Sequence, residues 1–99
     1  MDLSIVIPAY NEESSIYGLL TKVKSVDLIG NLEKELIVVD DASTDNTKEM
    51  AEKFANAFPD LSLTIFAQIK NHGKGAAIKK GIELSTGDYL IIQDADLEY

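Results

Sequence analysis

The sequence contains no cysteine, only two prolines and no long apolar segment among its 99 residues. The absence of cysteine excludes disulfide bonds, thiolate nucleophiles and cysteine-ligated zinc sites. No apolar run approaches the roughly 18–20 residues that a membrane-spanning helix requires, and no basic leader precedes the first apolar run. We therefore expect a cytoplasmic location for this chain.

Basic residues are also scarce, with nine lysines and arginines against seventeen acidic residues and a net charge of −8. This balance argues against non-specific nucleic-acid binding, which needs basic side chains to replace phosphate counterions. It would also repel a free nucleotide, unless a bound divalent cation reverses the local field. Much of the acidic excess can equally be a solvated helix face. The 45% hydrophobic and 26% charged content is that of an ordinary soluble domain.

Hydrophobic periodicity predicts alternating strands and helices along one domain. The predicted strands cover residues 3–7, 36–39, 61–67 and 89–93, with the third nearer an edge. The predicted helices cover residues 12–26, capped by Asn11, then a segment from Ser43 or Thr44 to Phe58, and a third that follows Gly75 and ends at residues 85–87 with Gly87 as C-cap. Gly30-Asn31 marks a turn and residues 71–75 a loop. The βαβαβαβ order predicts an α/β fold, a three-layer Rossmann-like parallel sheet covered by helices.

Acidic residues follow two of the predicted strands. Asp40 and Asp41 close the second strand, and Asp94-Ala95-Asp96 closes the fourth. Because ligands of open parallel sheets bind beyond the carboxyl ends of the strands, both clusters are expected at one cleft. Carboxylate oxygens suit Mg²⁺ or Mn²⁺, whose shells are commonly completed by substrate phosphates. This predicts a nucleotide-diphosphate site, although turn and cap chemistry is an alternative for each cluster alone.

The turn after the first strand, residues 8–13, contains no glycine. It therefore cannot be the glycine-rich phosphate turn of dinucleotide-binding folds. Tyr10 and the acidic groups after it suit a base and ribose better. The alternative is a strand end followed by a helix cap.

Lys74 lies between two glycines but outside any complete phosphate loop, because Gly75 follows it where a P-loop has serine or threonine. It can either reach the base or phosphates of a ligand or be a solvated loop lysine. His72 is the only histidine and has no nucleophile constellation to serve, which favours a surface position.

Four segments, in order and spacing, resemble the family 2 glycosyltransferases. They are residues 4–13 (SIVIPAYNEE), 37–45 (IVVDDASTD), 71–75 (NHGKG) and 93–99 (QDADLEY). The last two look most like the branch of dolichyl-phosphate mannosyltransferases and polyprenyl-phosphate glucosyltransferases. The resemblance implies a GT-A fold, a Mg²⁺ or Mn²⁺ ion, and inverting transfer of a sugar from a UDP- or GDP-sugar to an acceptor such as a membrane polyprenyl phosphate.

The resemblance also implies roles for single residues. Asp94 and Asp96 match the Asp-x-Asp that meets ribose, metal and diphosphate, and Glu98 matches a further metal ligand. Ala42 stands where the family usually has glycine. The predicted substrate-binding residues are Pro8, Ala9, Tyr10, Glu12, Val38, Asp40, Asp41, Lys74, Asp94, Ala95 and Asp96, and the predicted metal ligands are Asp94, Asp96 and Glu98.

The acceptor half of the family's domain has no counterpart in these residues. We therefore interpret residues 1–99 as the nucleotide-sugar-binding N-terminal half of a catalytic domain, inactive by itself and self-associating through residues 89–99. A non-catalytic nucleotide-sugar-binding module would have the same half-site. A nucleotidyltransferase would need a glycine-rich loop after the first strand, and a phospho-acceptor signalling module a lysine after a fifth strand.

Overall fold

The chain folds around one parallel β-sheet. The computed structural model describes residues 2–25 and 32–95. Its elements are β1 (Leu3–Ala9), α1 (Ile16–Ser25), β2 (Lys34–Asp40), α2 (Thr47–Ala57), β3 (Leu63–Ala67), α3 (Lys74–Leu84) and β4 (Tyr89–Ile92). The four strands pair in parallel in the order β3-β2-β1-β4. The predicted α/β fold and the edge position of β3 are confirmed.

Two apolar cores cover the two faces of the sheet, because successive side chains of a strand point to opposite faces. On one face, Ile5 and Val38 pack with residues of α1 and α2, including the fully buried Phe54. On the other face, Val6 and Val39 pack with residues of α3. This arrangement confirms the predicted three layers. No helix within residues 2–25 and 32–95 has both the length and the apolar character to cross a membrane.

β1 continues through Pro8 to Ala9, so the prediction that it ends at residue 7 was wrong. Val6 O accepts a hydrogen bond from Gln93 N (2.8 Å), so alternate backbone groups of β1, including those of Pro8, face β4. Pro8 has no N–H to continue that ladder, and β4 ends there. The ladder to β2 is unaffected and continues to Ala9. Pro8 therefore separates the chain after β4 from the sheet without breaking β1.

The predicted helix caps were also wrong. α1 begins at Ile16, whose N–H donates to the Glu12 carbonyl (2.9 Å), and not next to Asn11. α2 begins at Thr47, and its N–H donates to Asp45 Oδ1 (2.9 Å), whereas Ser43 and Thr44 precede this cap. These residues instead bond to the opposite loop, as described below. The predicted end of α1 at Val26 and the Gly30-Asn31 turn lie outside the described residues.

Two glycines have roles other than those predicted. α3 already begins at Lys74, so Gly75 lies in its first turn and not in a loop. Gly87 does not have the positive φ of a helix C-cap. A Cβ at Gly87 would lie 2.6 Å from Ser4 N, so the close approach of this turn to β1 requires glycine.

A buried polar cluster joins three segments at the amino end of the sheet. Glu35 Oε2 accepts hydrogen bonds from Ser4 Oγ (2.5 Å), Thr86 N (2.6 Å) and Thr86 Oγ1 (2.8 Å), and Ser4 Oγ accepts one from Gly87 N (2.8 Å). Burial raises the pKa of Glu35, but the bonds from Ser4 and Thr86 outweigh it and leave the pKa below its ordinary value. The cluster fixes the turn that leads into β4.

Candidate functional site

A cleft of about 220 Å³ lies at the carboxyl edge of the sheet. It is lined by Pro8, Ala9, Tyr10, Glu12, Asp41, Lys74, Ala77 and Asp94. All of these except Ala77 belong to the predicted substrate-binding set. Their convergence follows from the strand order, because β1 lies between β2 and β4 and all three strands end at this edge.

The remaining predicted site residues are not on the lining of this cleft. Val38 and Ala95 are buried in the core between the sheet and the α1–α2 layer. Asp40 is also buried, at the end of β2. Asp96 and Glu98 lie outside the described residues.

Hydrogen bonds between two loops form one wall of the cleft. Asn11, at φ +52°, accepts a bond from Thr44 N to its Oδ1 (2.8 Å) and donates its own N–H to Ser43 Oγ (2.9 Å). Glu12 N donates to Thr47 Oγ1 (2.7 Å). These bonds hold the β1–α1 loop against the β2–α2 loop, and therefore fix the backbone that follows the cleft-lining Tyr10.

Thr47 connects this wall to the start of α2. It is fully buried, and its hydroxyl accepts from Glu12 N and donates to Asp45 Oδ1. Asp45 also accepts the N–H groups of Thr47 (2.9 Å) and Glu13 (3.3 Å). Desolvation raises the pKa of Asp45, but these hydrogen bonds, chiefly from Thr47, leave it below its ordinary value. The sequence prediction missed Thr47, although an aspartate two residues before a helical threonine is a local capping pattern.

The turn after β2 is organised by Asp40. Its Oδ1 accepts hydrogen bonds from the hydroxyl and the N–H of Ser43, the latter at 3.3 Å. Between them, Ala42 has φ +58°, in the left-handed region that favours glycine. The alanine that the sequence carries here is therefore a strained residue within a tightly bonded turn.

Asp41 fixes the start of α3. Its two carboxylate oxygens accept the N–H groups of His72 and Gly73 (2.8 Å each), and Gln68 Nε2 donates to it at 3.2 Å. Gly73 has φ +91°, which a residue with a side chain rarely adopts. A carboxylate at this point also complements the positive end of the α3 dipole. Asp41, predicted to bind substrate, thus already binds backbone groups at the side of the cleft.

Lys74 and Asp94 form an ion pair across the cleft. Their side chains are 58% and 38% exposed. Since Asp41 follows β2 and Asp94 follows β4, residues 72–74 run between the ends of these strands, past the end of β1. This segment places the ammonium group of Lys74 and the N-terminus of α3 at the opening of the cleft.

A divalent cation is compatible with the one predicted metal ligand that the structure describes. Asp94 offers a carboxylate at the cleft, and this carboxylate already binds a cation, the ammonium group of Lys74. Oxygen donors of this kind suit Mg²⁺ and Mn²⁺. Within residues 2–25 and 32–95, no group of three or more acidic, histidine or cysteine side chains could hold a metal. Among the described residues, Asp94 is therefore the only predicted metal ligand at the cleft.

Comparison with known proteins relates the sequence to transferases. The family model "Glycosyl transferase family 2" matches residues 4–99. The chain is 41% identical over 97 residues to undecaprenyl-phosphate 4-deoxy-4-formamido-L-arabinose transferase of Proteus mirabilis, covering 97% of the chain and 29% of that protein. It is 30% identical over 99 residues to dolichol-phosphate mannosyltransferase of Pyrococcus furiosus, covering 100% of the chain and 27% of that protein.

Solved structures share the fold at similar identity. A Pyrobaculum calidifontis mannosyltransferase in complex with GDP-Man and Mn²⁺ has a TM-score of 0.88 and 33% identity over 95% of this chain and 27% of its own. S. aureus TarS in complex with UDP-GlcNAc has a TM-score of 0.84 and 32% identity over 97% of this chain and 27% of its own. The described sheet is thus the parallel sheet of a GT-A glycosyltransferase. The chain spans less than a third of these relatives and belongs to glycosyltransferase family 2.

Proposed function

We propose that this chain is the nucleotide-sugar-binding half of an inverting glycosyltransferase that uses a UDP- or GDP-sugar. The observation that carries the proposal is the cleft, where the β1–α1 loop, the first turn of α3 and the chain after β4 bring Tyr10, Glu12, Lys74 and Asp94 to one opening. Its position beyond the carboxyl ends of parallel strands is the usual position of a ligand in such folds. The nucleotide sugars named for the related structures support the same ligand class.

The cleft suits the nucleoside end of a donor. Its volume of about 220 Å³ is below the roughly 300–1,000 Å³ typical of whole small-molecule sites. Tyr10 is 45% exposed, and its ring is available to stack on a base. Glu12 lines the cleft and can accept hydrogen bonds from ribose hydroxyls, and Asp40, buried at the neighbouring turn, is kept as a proposed residue of the nucleoside site. We keep Pro8, Ala9, Val38, Asp41 and Ala95 as proposed surroundings of the nucleotide.

Asp94, together with Asp96 and Glu98, would hold Mg²⁺ or Mn²⁺ in this site. When bound, such an ion neutralises charge that develops on the departing nucleotide diphosphate. Mn²⁺ in the related mannosyltransferase complex supports this assignment. Lys74 pairs with Asp94, so its ammonium group would lie next to the bound ion.

A polyprenyl phosphate is the proposed acceptor, supported by the undecaprenyl and dolichol phosphates in the names of the relatives. A phosphate oxygen of the acceptor would form the bond to the anomeric carbon as the bond to the diphosphate oxygen breaks. The electron pair leaves with the nucleotide diphosphate, and the anomeric configuration inverts. Because the acceptor already carries a nucleophilic oxygen, this reaction does not require a protein base.

We also retain a cytoplasmic location and self-association as proposals. The four residues of β4 are all exposed, from Ile92 at 39% to Tyr89 at 69%. An apolar edge strand with unpaired backbone groups favours association with a second chain.

Titration calorimetry tests the donor proposal. UDP and GDP are titrated separately into the chain with Mn²⁺ and with EDTA. Binding is expected only with Mn²⁺, and Asp94→Asn should weaken it at least about tenfold, the equivalent of the 1.5–3 kcal/mol of a charge-assisted contact. The matched control is Asp88→Asn, an exposed carboxylate before β4, which should leave binding unchanged. Equal binding in EDTA, or an unaffected Asp94→Asn variant, would contradict the assignment.

A further inference from the structure

Lys74 is placed to contact more than one partner at the cleft. It lies in the first turn of α3, and its ammonium group pairs with Asp94. Its main-chain position is fixed by the bonds from His72 N and Gly73 N to Asp41. The side chain beyond this fixed point is 58% exposed. The structure therefore combines an anchored backbone with a charged group at the end of a flexible stem.

We propose that Lys74 is an exchangeable counter-cation for Asp94. In the chain without ligand, its ammonium group neutralises this carboxylate. When a divalent cation binds Asp94, Lys74 releases the carboxylate and donates hydrogen bonds to the diphosphate of the nucleotide. This inference rests on the proposed donor site and adds a role for a residue that the sequence left open.

The ion pair has the properties that such an exchange requires. Both side chains are accessible to water, and exposed pairs of this kind are weak enough to open readily. A divalent cation carries twice the charge of the ammonium group and prefers carboxylate oxygens. A lysine ammonium is a compact charge on four rotatable carbons, so it can move between partners without displacing α3. The exchange therefore needs only a side-chain rotation.

The position of Lys74 also suits an anion after release. The first turn of an 11-residue helix presents unpaired N–H groups and the positive end of the helix dipole. Lys74 and Asp94 both line the cleft proposed for the nucleotide. In a chain of net charge −8, a local cation next to the diphosphate offsets repulsion from the surrounding carboxylates. Metal alone must displace Lys74, whereas metal with a diphosphate gives the displaced ammonium a new partner.

The exchange predicts that one substitution, Lys74→Met, raises the affinity for Mn²⁺ alone and lowers the affinity for the nucleotide. Lys74→Met removes the charge and keeps a flexible apolar stem. Calorimetry with Mn²⁺ alone should then show tighter binding, by about two- to fivefold, because no ammonium group competes for Asp94. With saturating Mn²⁺, UDP or GDP should bind at least about tenfold more weakly, because a charge-assisted contact is lost.

The matched control is Lys70→Met, which removes the same charge from an exposed position in the preceding loop. It should leave both affinities within about twofold of the parent chain, since Lys70 is exposed to solvent and does not line the cleft. A second measurement follows the side chain directly. In the parent chain, Mg²⁺ with UDP or GDP should move the NMR signals of the Lys74 side-chain methylenes, whereas those of Lys70 should stay in place.

The outcomes separate this inference from the donor proposal. Mn²⁺ binding that is unchanged or weaker in Lys74→Met would overturn the exchange, as would nucleotide binding equal to that of Lys70→Met. If the parent chain binds Mn²⁺ and nucleotide normally in those cases, the donor site stands and only the role of Lys74 is wrong. If the parent chain binds neither, both proposals fail.

Discussion

Replacing Ala42 with glycine should stabilise the chain. Ala42 has φ +58°, and a residue with a Cβ in this region costs about 1–2 kcal/mol. Glycine removes that cost but loses more conformational entropy on folding, which opposes the gain by about 0.4–1 kcal/mol. The expected net increase in the free energy of unfolding is therefore about 0.5–1 kcal/mol. For a domain of this length, that corresponds to roughly 2–8 °C in Tm.

Urea denaturation followed by circular dichroism measures this difference. The slope of the free energy against urea should stay the same, so that the change lies in the midpoint alone. Ala57→Gly is the control, because it makes the same chemical change at an exposed helical residue. That variant should be no more stable than the parent chain, and less stable by under about 1 kcal/mol, because Ala57 is the last residue of α2 and the full cost of glycine applies to a helix interior. An Ala42→Gly variant no more stable than the parent chain would refute the argument that this turn is strained.

Two further substitutions test the polar contacts that hold the site and the sheet. Thr47→Val should lower the free energy of unfolding by about 1–3 kcal/mol and weaken nucleotide binding, because Glu12 N loses its acceptor. Thr47→Ser keeps the hydroxyl, so denaturation and calorimetry should show the stability and the nucleotide affinity of the parent chain. Glu35 has a lowered pKa in the folded chain, so its stabilisation is complete above its ordinary pKa of 4.5 and is lost as the pH falls through the folded value. Urea denaturation between pH 7 and pH 3 should therefore show that the free energy of unfolding falls more steeply with decreasing pH for the parent chain than for Glu35→Gln. An equal fall in both proteins would count against this role of Glu35.

The layout of the site was accessible from the sequence because it depends on strand polarity. Apolar runs at residues 36–39 and 89–93 predicted strands, and the acidic residues stand directly after them. Parallel pairing on both sides of β1 then brings Asp41 and Asp94 to one edge. The order of the elements and the positions of the acidic residues are therefore enough to predict where the cleft lies, without knowledge of any side-chain contact.

The caps and turns were less predictable because their partners are distant in sequence. Asn11 and Ser43 are equally suited to cap a helix or to bond another loop, and their actual contacts join residues 32–33 positions apart. Gly87 carries the local signature of a helix C-cap, but glycine is required there because a side chain would collide with Ser4. Asp41 had the chemistry of a ligand, and only the fold reveals the two N–H groups that its carboxylate binds.

A crystal structure of the chain with Mn²⁺ and UDP or GDP tests the central claim most directly. The account expects the nucleotide at the carboxyl edge of the sheet, with its base at Tyr10 and the anomalous signal of Mn²⁺ next to a carboxylate oxygen of Asp94. A nucleotide bound at another surface, or Mn²⁺ bound away from Asp94, would contradict it.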